Sequence, residues 1–523
     1  MDQDRLRHVL LWIAVSLFLV VLFRNAWVSD DAYITLRTVD NFVNGYGLTW
    51  NTFERVQTYT HPLWMMLLTS VYFFTREAFF TTIIISMIVS LAAVWLIAFR
   101  ISRTTVAALL AICLLILSKS FIDFSTSGLE NPLTHLLVAL FYWIFFKCKK
   151  NLRSLTLLTL VASLATTNRP DTLLLIAPAL AVYVWRLRSR TAAYALLVGS
   201  IPLALWEAFS FFYYGFLFPN TAYAKLQSGV TRIDLIEQGF YYLLDSLRMD
   251  PLTAGTISIA ILLVLLLKRR TLLPFAAGIL LYLAYVVNIG GCFMSGRYLS
   301  APFVTAVMIL STLEPERMSR WRWGAVFALF ILIAVRTPLC PIYTGSVYGL
   351  TAEQRQEFLD RPAANRGITD EKAFYFQSSS LLTAGGDKEM PDHEWAEQGR
   401  SLRQAGAQLV TKSTVGYFGY FAGPKIVVLD DLALGNPLLA RLPIPDKNNW
   451  AIGHFRREIP KGYVETIRFG DNLIEHDSLG LYYDKLSLVI QGDLMSFERL
   501  WTAVKLNLGL YDHYLEAYSK GSE

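Results

Sequence analysis

Two adjacent carboxylates, Asp30 and Asp31, stand in the stretch AWVSDDAYITLR (26–37), directly after the apolar run LLWIAVSLFLVVLF (10–23). A charge at the edge of a bilayer is costly unless it is paired or hydrated, so such a pair is a functional candidate. Neighbouring residues point in different directions on a helix or a strand, which argues against one shared proton. A division of labour fits better: one aspartate takes a proton while the other pairs with a base or orients the site. Either can be the base at this level, and a hydrated loop with helix caps explains the same residues.

Further reactive groups recur in short segments. NTFERVQTYTHPLW (51–64) holds Glu54, Arg55, Tyr59 and His61 in one loop. The segment from 28 to 61 is long for a connection, and long connections tend to be functional or disordered. His61 also suits a cap for the helix that Pro62 would open. TSGLENPL (126–133) sets Glu130 just before Pro132, where a carboxylate faces a helix N-terminus. TTNRPD (166–171) sets Arg169 and Asp171 either side of Pro170, a pairing that would fix a tight turn. FPNTAYAK (218–225) and SGRY (295–298) add Lys225 and Arg297. Beside a bilayer, Arg grips a phosphate with a bidentate fork and Lys acts as a point charge. Ordinary headgroups would attract the same cations.

These side chains need a membrane scaffold. Of the 523 residues, 54% are hydrophobic and 17% charged, against about 25% charged in soluble domains. The apolar runs lie before about residue 340, several of them long enough to cross ~30 Å of hydrocarbon. The first run is long and leads into Asp-Asp, not a small-residue cleavage site, so it is expected to be retained. Cations cluster at Arg5 and Arg7; Arg100 and Arg103; Lys147, Lys149, Lys150 and Arg153; Arg186, Arg188 and Arg190; Lys268, Arg269 and Arg270; and Arg317, Arg320 and Arg322. Placing all six in the cytoplasm puts the N-terminus inside. It yields about eleven spans, near 9–27, 78–99, 104–121, 132–146, 154–168, 171–186, 191–213, 252–267, 271–289, 298–313 and 323–338. The run HPLWMMLLTSVYFF (61–74) breaks the alternation and reads as a helix lying in the outer interface.

On this topology Asp30, Asp31, Glu54, Glu130, the 168–171 turn, a long 214–251 loop and GGCFMSGR (290–297) all face outward. The expected fold is a membrane all-α bundle of about eleven spans over 1–340, followed by a soluble α/β domain over 341–523 on the outer side. In that domain PKIVVLDDL (424–432) and LGLYYDKLSLVIQ (479–491) read as strands, and DHEWAEQGRSLRQAGAQLV (392–410) as a helix. YFGYF (417–421) reads as strand core or as a sugar-stacking platform. Four cysteines make no disulfide framework, and no Cys/His spacing suggests a metal site. The net charge of +6 resolves into loop clusters and gives no sign of nucleic-acid binding.

Outer carboxylates, cations and aromatics suit one chemistry. A sugar hydroxyl acting as nucleophile needs a carboxylate base within hydrogen-bond reach. A departing lipid phosphate needs no acid if Arg or Lys stabilises its charge. A transporter would place ionisable groups at mid-span, where Glu207 is the main example here.

The ordered set SDDAYITLR, GYGLTWNTFERVQTYTHPLW, TSGLENPL, NRPD, PNTAYAK and GGCFMSGRYL resembles the GT-C polyprenyl-phosphate-sugar glycosyltransferases, specifically the mycobacterial cell-wall terminal arabinofuranosyltransferase family. VGYFGYFAGPKIVVLDDLALGNPLLARLP and WAIGHFRREIPKGYVET resemble the C-terminal domain of that family. The resemblance implies an inverting transfer of arabinofuranose from a polyprenyl phosphate to an extracytoplasmic acceptor, either a cell-envelope glycan or a surface protein such as pilin. It implies a bacterial inner-membrane enzyme with Asp30 or Asp31 as base. Arg55, Lys225 and Arg297 would hold the donor phosphate, and Arg37, Glu54, Tyr59, His61, Glu130, Arg169 and Asp171 would line the sugar or acceptor pocket. No cofactor beyond the lipid-linked donor is implied, and a divalent metal stays open. Cys292 stands where the family leads us to expect Asp. The alternatives are a flippase for a lipid-linked glycan, or a GT-C enzyme using mannose or aminoarabinose.

Overall fold

The structure, a computed structural model, describes residues 3–313, 320–337, 339–343, 366–385, 389–447 and 449–521. Arg317 lies outside the described residues. So does 344–365, just past the expected domain boundary. The chain divides into two compact units. One comprises 1–29, 77–203 and 232–391; the other comprises 30–76, 204–231 and 392–523.

The first unit is helical and apolar. Two helical segments, Asp4–Arg24 and Phe79–Ile101, are long and apolar enough to cross a membrane singly. Two bent pairs pass the same test together: Ala192–Gly199 with Ile201–Tyr214, at 49°, of which the residues from 204 on belong to the second unit, and Arg232–Met249 with Pro251–Leu266, at 109°. Shorter apolar helices include Thr105–Leu117, Thr172–Leu187 and Leu273–Asn288. Their starts follow from local chemistry. Thr104 accepts from the Ala107 amide, Asn151 from Ser154 and Asp250 from Thr253, each supplying an acceptor that the first helical turn lacks. Tight packing in lipid needs small residues at the crossing. Gly278 is one: a Cβ there would run into the Leu175 carbonyl, so only glycine lets Leu273–Asn288 approach Thr172–Leu187 this closely.

A buried charge network also holds this unit. Lys119 pairs with Asp123 and with Asp370, and Lys372 donates to Asp123 at 2.7 Å and to Asn25 at 2.5 Å. Two cations face two carboxylates, so the cluster is neutral and each charge keeps a partner out of water. It fastens the helix Glu371–Ser379 to Lys119–Asp123 and to the end of the first helix. No signal in the sequence joins positions so far apart.

The second unit departs from several expectations. The stretch after the first apolar run is ordered as a helix, Asp30–Val43, with a strongly one-sided apolar face. Pro62–Thr75 is a helix, as its proline suggests. The 214–251 region, expected as a loop, carries the helix Asn220–Leu226 in this unit and Arg232–Met249 in the first. LGLYYDKLSLVIQ lies within the helix Asp477–Gln491 and forms no strand. Its buried residues Leu479, Tyr482, Tyr483, Leu486, Val489 and Ile490 recur every three or four positions, and that period outweighs the β-preference of individual side chains. YFGYF likewise falls in a short helix, Gly416–Ala422. Among the described residues the sheet is one parallel pair, Leu409–Lys412 with Val427–Asp430. The C-terminal part is therefore a small α/β element among helices. All four cysteines are unbridged.

Candidate active-site residues

In the second unit the two aspartates separate at once. Asp30 is buried, and its two oxygens accept from the amides of Gly416, at 3.1 Å, and Tyr417, at 2.7 Å. Gly416 is required for this approach, because a Cβ there would collide with the Asp30 carbonyl. Burial pushes the Asp30 carboxyl up to about 7, and Asp31 adds to the rise; the two amides pull the other way without overcoming burial. Asp31, the second residue of the same helix, is only partly buried.

Asp31 and Lys225 both act electrostatically on the imidazole of His454. The sequence does not bring these three together; Arg457 does. Its Nη2 donates to the Ala224 carbonyl at 2.6 Å, its Nε to Leu442 at 2.6 Å and its Nη1 to Phe455 at 2.5 Å. The GHFRR segment is thereby tied to the helix Asn220–Leu226 that carries Lys225. Asn220 fixes that helix from the other end, donating to the carbonyls of Ala433 and Leu434 at 2.9 and 3.0 Å. His454 and Arg457 were not among the expected site residues. Their signal was an arginine pair and a histidine in one short loop.

Other expected residues take quieter positions. Each guanidinium nitrogen of Arg37 donates to a main-chain carbonyl: Trp50 at 2.8 Å, Gly419 at 2.6 Å and Ile426 at 2.8 Å. The guanidinium also stacks on Trp50 at 4.7 Å. Arg37 thus clamps the helix Asp30–Val43 onto the segment that receives Asp30. Glu54 is buried and accepts from Asn51 at 3.2 Å; burial pushes its carboxyl up to about 8. Arg55 donates to the Gly492 carbonyl. The hydroxyls of Tyr59 and Tyr214 meet at 2.8 Å, and His61 Nε2 meets the Thr35 hydroxyl at 2.9 Å. His61 occupies the N-cap position, but its side chain does not cap the helix.

In the first unit Glu130, Arg169, Asp171 and Arg297 form one buried network. Arg169 Nε donates to Asp171 at 2.7 Å while its Nη1 pairs with Glu130. Arg297 Nη2 reaches both oxygens of Glu130 at 3.1 Å. Arg169 lies over the Tyr298 ring at 4.4 Å, and the Tyr282 hydroxyl donates to Asp171 at 3.2 Å. Glu130, expected as a possible helix cap, makes no capping bond and serves two guanidinium groups instead. Three buried polar atoms around it, Arg297 Nε, Asn131 Oδ1 and Asn168 Oδ1, have no hydrogen-bond partner. Buried polar groups are rarely left so, and a cluster of them suits a polar ligand or water. Cys292 is buried, and its sulfur accepts from the Met294 amide at 3.4 Å.

The fold is like that of ArnT from Cupriavidus metallidurans, solved bound to undecaprenyl phosphate, with a TM-score of 0.50 at 14% identity, over 82% of this chain and 87% of that one. No protein-family model matches the sequence. In sequence the chain is a distant homologue of two curated proteins. The terminal beta-(1->2)-arabinofuranosyltransferase of Mycobacterium tuberculosis is 26% identical over 434 residues, 71% of this chain and 66% of that protein. Its namesake in Corynebacterium glutamicum is 28% identical over 358 residues, 59% of this chain and 51% of that protein. The chain thus spans just under two thirds of one relative and about half of the other. Its fold is like that of ArnT, and among the described residues two helices are long and apolar enough to cross a membrane, or four spans if each bent pair counts as one.

Proposed function

We propose that this protein is an integral-membrane glycosyltransferase that moves a sugar, arabinofuranose in the first instance, from a polyprenyl phosphate to an extracytoplasmic acceptor. One observation carries the assignment of roles. Asp30 is buried with both oxygens engaged by amides, whereas Asp31 is partly open and, like the cation Lys225, acts electrostatically on His454. Asp31 is then the general base, Asp30 a positioning residue, and His454 a partner that orients the base. The base takes the proton of the acceptor hydroxyl as its oxygen attacks the anomeric carbon. The bond from that carbon to the phosphate oxygen breaks with inversion, and the polyprenyl phosphate leaves as an anion.

Lys225 supplies a point charge for that anion. Within the first unit, Arg297 Nε is a buried donor with no hydrogen-bond partner, suited to a polar ligand or water. The homologous arabinofuranosyltransferases support the sugar, and the lipid bound to ArnT supports the carrier. The reading includes about eleven spans, a cytoplasmic N-terminus, and residues 341–523 outside the cytoplasm. The acceptor is a cell-envelope glycan or a surface protein.

The test is direct. Purified protein in lipid nanodiscs receives synthetic decaprenyl-phosphate arabinofuranose and an arabinan oligosaccharide, and products are read by mass spectrometry. Transfer that fails with this donor but proceeds with a mannosyl or aminoarabinosyl lipid would replace the sugar and keep the class. Failure with every lipid-linked donor and acceptor, together with movement of the lipid across a sealed vesicle, would establish a flippase instead.

A further inference from the structure

The helix Phe497–Asn507 presents an unusual outer face. Phe497 is 80% exposed, Trp501 52% and Leu508, just past its end, 69%; Met495, just before it, is 80% exposed. At ~100° per residue, Phe497, Trp501 and Leu508 share one stripe. The opposite stripe holds the buried Arg499, Thr502, Ala503 and Leu506. The exposed stripe is therefore apolar, with Glu498 and Lys505 on a flank between it and the buried one. Lys505 lies over the Trp501 ring at 5.8 Å. A contiguous apolar stripe bearing Trp and Phe, with a lysine at its margin, is the pattern of a segment lying in a headgroup layer.

A second observation sets the depth of this stripe. Arg499 is fully buried, and its Nη1 and Nη2 donate to the carbonyls of Phe212 and Tyr213, each at 2.8 Å. These are among the last residues of the apolar helix Ile201–Tyr214, half of a bent pair able to span a membrane. Asn507 donates to the Gly215 carbonyl at 2.7 Å, so both ends of the helix Phe497–Asn507 hold the same turn. Ile201 and Leu205 of the apolar helix are 48% and 66% exposed. A helix bolted to the end of a span lies where hydrocarbon gives way to headgroups.

We propose that the Met495–Phe497–Trp501–Leu508 face is a membrane-docking surface, seated in the headgroup layer at the end of the span that closes at Tyr214. The occupant is the bilayer itself. Arg499 fastens the face to an apolar helix whose Ile201 and Leu205 are also exposed, and Trp501 with Lys505 supplies the amphipathic edge that such a layer favours.

The experiment uses the full chain in nanodiscs of phosphatidylethanolamine and phosphatidylglycerol. Phe497→Cys and, separately, Leu508→Cys carry an environment-sensitive fluorophore, with labelled wild type as the background from Cys113 and Cys148. Phospholipids bearing a nitroxide near the headgroup should quench both positions at least threefold, with little quenching by aqueous iodide. Quenching by iodide and not by the nitroxide lipid would overturn the proposal, because the face would then lie in water. Protection from both quenchers would also overturn it, because protein would then cover the face. Correct folding of each variant is checked by its elution as a single species, and the two positions test the same face independently.

Discussion

Exchanging each aspartate in turn for asparagine separates a base from a scaffold. An asparagine in place of Asp31 would keep its size but could not take the proton of the acceptor hydroxyl. A positioned general base contributes about 10²–10⁴-fold, which is roughly 2.7–5.4 kcal/mol of barrier. Asp31 is partly exposed and not enclosed by the fold, so Asp31→Asn should leave stability within about 0.5 kcal/mol. Asp30→Asn works differently. Asparagine offers one acceptor oxygen where Asp30 offers two, so one amide at 416 or 417 loses its partner, a cost of about 1–3 kcal/mol. Against this, the neutral side chain removes a carboxylate that burial already disfavours, its pKa being pushed up to about 7. The Asp30 variant should therefore fold and keep its rate within about tenfold, or ~1.4 kcal/mol of barrier. The assay is single-turnover transfer from decaprenyl-phosphate arabinofuranose, run beside thermal unfolding of each variant. If Asp31→Asn kept at least a third of the rate while Asp30→Asn lost a thousandfold, the roles would be reversed and burial would have misled us about which acid reacts.

Three more outcomes follow from the buried charges. Glu54 stays protonated in the folded protein to about pH 8, whereas the unfolded chain ionises near 4.5, so stability should decline as pH rises from 4.5 to 8. Glu54→Gln should flatten that decline and stabilise the fold at pH 8.5 by up to roughly 5 kcal/mol, at 1.36 kcal/mol per unit, read as a raised Tm; an unchanged pH profile of unfolding would show that Glu54 is ionised in the fold. Arg37→Lys keeps the charge but cannot reach three carbonyls in a plane, so it should cost about 1–3 kcal/mol for each carbonyl left bare, read as a lowered Tm. Glu130→Gln turns a neutral network of two guanidinium groups and two carboxylates into one with excess positive charge; about 3–5 kcal/mol of destabilisation is expected, seen as faster hydrogen exchange over 126–134.

Much was legible before any tertiary structure was known. The length and apolarity of the runs before residue 340 fix a helical membrane protein, because unpaired backbone groups cannot be left in hydrocarbon. Pro62 and Pro132 mark helix starts that the structure keeps. The NRPD turn announces its own ion pair, since Arg169 and Asp171 are two residues apart. Local period, once weighed properly, also identifies the helix Asp477–Gln491 that side-chain preference alone misassigns.

What the sequence could not decide is which of two identical neighbouring acids is buried. That depends on the amides of Gly416 and Tyr417, 386 and 387 positions away. Nor could it show that Glu130 serves Arg297 across 167 residues, or that Arg457 holds the helix bearing Lys225 across 233. The physical reason is common to all three. Side-chain type is local, but burial, and with it the pKa and the choice of partner, belongs to whatever the folded chain packs against that side chain.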